Sequence, residues 1–67
     1  MLTITWVKYS SSIDTFELRS YLLKRLEVGN VIVYEIWKAD EMVYQTSASH
    51  EFQKKVRDIK NNKFSNR

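Results

Sequence analysis

The chain has no cysteine, no proline, a single glycine and a single histidine. Without cysteine there is no disulfide framework, no thiolate zinc site and no thiol nucleophile. One glycine excludes a glycine-rich phosphate loop. One histidine and scattered carboxylates supply no metal-ligand spacing, so no metal and no other cofactor is expected. Long apolar runs are missing too. The longest is Val31–Tyr34, far short of the ~20 residues that a membrane-spanning helix needs. The first eight residues, Met1-Leu2-Thr3-Ile4-Thr5-Trp6-Val7-Lys8, lack the basic start and apolar run of a secretory signal. These absences predict a soluble, cytoplasmic protein that makes no membrane contact.

What remains is a 67-residue chain, 43% hydrophobic and 28% charged. That composition is globular rather than disordered, and the length allows one domain. Below about 70–80 residues one core supplies roughly 3–5 kcal/mol, and natural chains often add a disulfide, a metal or a partner. The first two are disfavoured here, which favours a partner, identical or different. Charge is uneven. The net charge is +3. Residues 50–67 carry six basic and two acidic side chains, a difference of +4, while residues 1–49 carry five basic and six acidic ones, a difference of −1.

Along the chain, Leu2, Ile4 and Trp6 alternate with Thr3, Thr5 and Val7, which predicts a strand over 2–9. Asp14 and Glu17 have the spacing of a capping box, and Ile13 and Leu18 that of a hydrophobic staple. They predict a helix over 15–28, ended by a left-handed Gly29. Val31–Trp37 and Met42–Thr46 predict an antiparallel hairpin across the polar turn 38–41. Ser49 is placed to cap a second helix over 50–61, in which Phe52, Val56 and Ile59 recur at i, i+4 and i+7. The predicted fold is α+β, a βαββα domain over residues 1–60 with a three-stranded sheet and both helices on one face. Residues 61–67 are expected to be a frayed basic tail.

This arrangement has more apolar surface than it can hide. With Leu2, Ile4, Trp6, Ile32, Tyr34, Ile36, Met42 and Tyr44 facing the helices, the other face of the sheet carries Val7, Tyr9, Val31, Val33, Trp37 and Val43. An antiparallel sheet with one wet face alternates more cleanly than this. The proposed first helix has the same excess, with Tyr21 and Val28 extending an already broad leucine arc. Exposed apolar patches of this kind mark interaction sites, and aromatic residues dominate binding energy there. The expected binding residues are therefore Tyr9, Tyr21, Val28, Val33, Trp37 and Val43. The expected function is non-enzymatic: stoichiometric contact with another protein, as an inhibitor or adaptor, with self-pairing into a homodimer as a first form of it. Short length, scarce glycine and proline and abundant aromatics suit an accessory protein of a phage or mobile element.

The rival reading is nucleic-acid binding. Lys54, Lys55, Arg57, Lys60 and Lys63 surround the narrow apolar stripe of the last helix, which suits loose phosphate attraction rather than base reading. Catalysis has little to start from. His50 has only Glu51 beside it, and no nucleophile, base and stabiliser converge.

Overall fold

The computed structural model describes residues 4–64. Its strands are β1 (Val7–Ser10), β2 (Ile13–Leu18), β3 (Tyr21–Val28), β4 (Val31–Lys38) and β5 (Glu41–Thr46), followed by one helix, α1 (Ser49–Lys60). The strands form a single antiparallel meander in the order β1-β2-β3-β4-β5. The expected three-stranded sheet with two helices is thus replaced by five strands and one helix.

The correction centres on residues 13–28, a hairpin rather than a helix. Leu18 pairs with Tyr21 and Val28 with Val31, so two-residue turns close both ends of β3. Hairpin turns of this length need a positive φ at their first residue. Arg19, Gly29 and Ala39, which open the turns after β2, β3 and β4, all have it, at 56°, 63° and 56°. Gly29 is left-handed as expected, but it turns one strand into the next. Asp14 caps nothing: it lies within β2 and accepts hydrogen bonds from Arg25 on β3. Glu17 is an exposed residue of the same strand.

The hairpin over β4 and β5 and the C-terminal helix stand where the sequence places them. α1 begins after Ala48, and Ser49 is its first residue rather than its cap. Thr46 Oγ1 instead accepts a hydrogen bond from the Ala48 N–H. Its end is a Schellman motif: Asn62 is left-handed (φ 60°), its N–H donates to the Ile59 carbonyl, and that of Lys63 to the Asp58 carbonyl. Phe64 then packs edge-on against Tyr21, with ring centres 5.2 Å apart.

The core lies between α1 and one face of the sheet. Leu23 and Ile36, paired across β3 and β4, meet Phe52, Val56 and Ile59 of the helix. The Phe52 ring stacks on Tyr34 at 4.5 Å and on Trp6 at 6.1 Å. Ile4 and Trp6 pack against this core from the segment before β1, where the sequence predicted strand. Leu2, the first residue of that prediction, lies outside the described residues. An ion pair helps to hold this corner. Arg25 reaches Asp14 Oδ2 with Nη2 at 2.6 Å and Nε at 3.2 Å, and its guanidinium lies 5.2 Å from the Trp6 ring centre.

Candidate functional site

With the helix on one side, the register fixes which residues reach the other. Pairing carries a row of side chains across the whole sheet: Val7, Thr15, Lys24, Glu35 and Gln45. Two residues along each strand, in both directions, the same face continues. Towards the Gly29 turn lie Ile13, Leu26 and Val33, then Val28 opposite Val31. Towards the Arg19 and Ala39 turns lie Glu17, Leu22, Trp37 and Met42. The face is therefore a polar row between two rows that are apolar except for the exposed Glu17 at the β2 end of one, and among the described residues no helix or strand covers it. Several of its side chains stand well out: Val7 and Val28 are 61% exposed, Val31 50% and Met42 42%.

The polar row is organised from within. Glu35 accepts hydrogen bonds from Trp37 Nε1 (2.8 Å) and Gln45 Nε2 (3.0 Å). Lys24 sits opposite Glu35 in the register, but its Nζ lies 4.4 Å from the Trp37 ring centre, a cation–π geometry. Among the described residues neither Lys24, Glu35 nor Glu17 has an ion-pair partner within 4.0 Å. At the β1 side of the face is an open hollow of about 660 Å³ lined by Val7, Tyr9, Ile13, Thr15, Leu22 and Lys24. Tyr9 is the extra residue of a bulge, since Lys8 pairs with Asp14 and Ser10 already with Ile13. It is 75% exposed.

Of the six residues expected to bind protein, the structure brings Tyr9, Val28, Val33 and Trp37 onto this face. It places Tyr21 and Val43 elsewhere, packed against the core. Tyr21 shares the helix side because it alternates with Leu22 and precedes the buried Leu23 by two. Val43 is there because β5 slips: Ile36 pairs with Tyr44 but Trp37 with Met42. That bulge turns Val43 inward and leaves Met42, expected in the core, on the open face. Ile32, also expected in the core, is 37% exposed. Ile13, Leu22, Leu26 and Met42 are the members that the sequence reading missed. No alternation over 21–28 reveals the middle two, because Leu22 and Leu23 are both apolar and Lys24 and Arg25 both polar; they follow only once the hairpin register is known.

The cations form a separate surface. Lys54, Arg57 and Lys60 are exposed on α1, and Lys63 follows them. Lys55 is half-buried, its Nζ 5.3 Å from the Tyr44 ring centre. Arg19, remote in sequence, joins this group by donating to the Lys60 carbonyl at 2.8 Å. The helix, and with it this basic surface, lies across the sheet from the apolar face. His50 is exposed, with Nε2 3.5 Å from Glu51 Oε2. Among the described residues no group of three or more His, Asp or Glu side chains could hold a metal ion. No described helix is long and apolar enough to cross a membrane. No family model, curated protein or solved structure matches this chain.

Proposed function

We propose that the protein is a non-enzymatic binding module that works by stoichiometric protein–protein contact through the open face of its sheet. One observation carries this reading: two apolar rows, with Leu22, Trp37 and Met42 in one and Leu26 and Val33 in the other, stand on a face left uncovered by the one helix. Half-buried and exposed apolar side chains on an uncovered face, here two rows flanking a polar one, are stabilised by burial against a partner. Trp37 supplies the kind of large, oriented anchor that dominates such contacts. An inhibitor or adaptor, which acts by occupying a surface, fits a site that offers shape and apolar area and gathers no set of reacting groups.

The test is capture from the native host with Val33→Glu as control. The wild-type chain is expected to recover a protein at a fixed molar ratio, and Val33→Glu to lose it while keeping the same circular-dichroism spectrum. The competing reading has its own observation, the cations of α1 joined by Arg19. It predicts binding to nucleic acid that weakens steeply with salt and is abolished by Lys54→Glu with Arg57→Glu. Recovery of nucleic acid alone, unaffected by Val33→Glu, overturns the proposal.

A further inference from the structure

We infer that the occupant of the open face is a second copy of this chain, packed sheet against sheet about a two-fold axis that runs along the strands between β3 and β4. The inference rests on the reading of that face as a protein interface and names its partner. Three observations lead to it.

The first is charge. Lys24 and Glu35 sit opposite each other on β3 and β4, yet neither has an ion-pair partner within its own chain among the described residues. A two-fold axis between these strands reverses the polar row on itself. Lys24 then meets the partner copy's Glu35 and Glu35 the partner copy's Lys24, so one operation forms two ion pairs and gives each charge a partner. The same rotation sets Thr15 opposite Gln45. The cations Lys54, Arg57 and Lys60 lie on α1, across the sheet from this contact, so these like charges are kept apart.

The second is the apolar pattern. About that axis the apolar residues of β3 and β4 lie on one another's copies, Leu26 on Val33, Leu22 on Trp37 and Val28 on Val31, while Glu17 at the edge lies by the partner copy's Met42. Apolar meets apolar along the two longest strands, as in aligned sheet sandwiches.

The third is area. Four overlapping strands about 4.8 Å apart, two about 26 Å long and two about 20 Å, give a flat footprint of about 440 Å² per copy. Side-chain relief brings the accessible area towards the roughly 800 Å² per partner of a stable interface. A chain with only five buried hydrophobic side chains among the described residues gains from that burial what it lacks in disulfide or metal. β1, with Val7 and Tyr9, overhangs the contact at each end, and the β2 and β3 side of the hollow is covered.

Light scattering on the purified full chain over a range of concentrations reads the first outcome, and charge reversal the second. The wild type is expected at twice the chain mass. Lys24→Glu alone and Glu35→Lys alone each bring like charges together across the axis. Each is expected to raise the dissociation constant about tenfold or more. An equimolar mixture of the two variants restores opposite charges at every contact and is expected to recover the dimer, which also shows that both are folded. A dimer that is indifferent to both variants, or to Val33→Glu, overturns the inference. So does a wild-type chain that stays monomeric. If that monomer still captures a host protein through Val33, only the self-pairing falls. If it recovers nucleic acid alone, the interface reading falls with it.

Discussion

Leu22 and Leu23 are adjacent, identical in chemistry and opposite in circumstance. Leu23 has no exposed surface, because Phe52, Val56 and Ile59 of α1 close over it. Leu22 points to the other side of the same strand, beside Trp37 and the hollow at Tyr9, and is only half-buried. The same contrast runs through β4, where buried Ile36 lies between half-buried Glu35 and Trp37. Composition does not separate the two faces; coverage does. The described residues carry apolar side chains on both sides of the sheet, and the 12-residue α1 covers one of them.

The comparison breaks most severely at Phe52. Its ring is held between Trp6 and Tyr34, and Phe52→Ala removes the middle of that stack. Such truncations cost about 3–5 kcal/mol, comparable to the whole stability of a small domain. Loss of a cooperative thermal transition is the expected outcome. Val28→Ala, a smaller truncation of an exposed apolar side chain on the open face, is expected to shift monomer stability by no more than about 0.5 kcal/mol. A loss at Val28 well above about 1 kcal/mol would show that the open face is already buried in the isolated chain.

Asp14→Ala comes next. Both hydrogen bonds from Arg25 end on one carboxylate oxygen, with Lys8 Nζ at 3.8 Å from the other. Asp14 is largely shielded from water, whereas Arg25 keeps over a third of its side chain exposed. Charge-assisted bonds are worth roughly 1.5–3 kcal/mol, and partial exposure pulls the expectation to the lower end, near 1.5 kcal/mol by chemical denaturation. A smaller loss with Glu at the same position would tie the effect to the carboxylate rather than to strand preference.

These positions also show where the sequence could be read and where it misled. Phe52, Val56 and Ile59 were legible as a helix stripe because one face of α1 is apolar and the rest polar. The hairpin over β4 and β5 was legible from its β-branched run. Residues 13–28 were not, for three physical reasons. Leucine, glutamate, lysine and arginine all favour helix locally, and tertiary pairing overrides that preference. The Arg19-Ser20 turn carries none of the glycine, asparagine or proline that mark hairpins. Finally, strands apolar on both faces produce, on a helical wheel, a broad arc rather than a stripe. That excess of breadth was the evidence against a helix, and Gly29-Asn30 between two valines was the hairpin signal. The open face was visible in part, since Val33 and Trp37 follow from β4 alone. Ile13, Leu22 and Leu26 required the corrected fold.

Gly29→Ala is expected to cost about 1 kcal/mol. Nothing lies within 4 Å of the added Cβ, so the penalty is the backbone's alone, that of holding alanine at φ 63°. A thermal-melting comparison measures it. A neutral result would mean that the turn relaxes to a negative φ.

The smallest effect has the opposite sign and probes the same device one turn later. Ala39 holds φ 56° at the equivalent place after β4, so the strain that Gly29→Ala would introduce is already present there. Ala39→Gly relieves roughly 1–2 kcal/mol of left-handed strain and returns about 0.5–1 kcal/mol through the greater freedom of glycine in the unfolded chain. The expected net gain is about 0.5 kcal/mol, read as a higher melting temperature. Ala39→Asn tolerates positive φ without glycine's entropy and is expected to gain at least as much. Arg19→Gly has the same relief available, but it forfeits the hydrogen bond to the Lys60 carbonyl at 2.8 Å, worth about 1 kcal/mol. It should therefore come out near neutral. A gain at Arg19 as large as that at Ala39 would show that the guanidinium contributes nothing to joining the sheet's turn to the end of the helix.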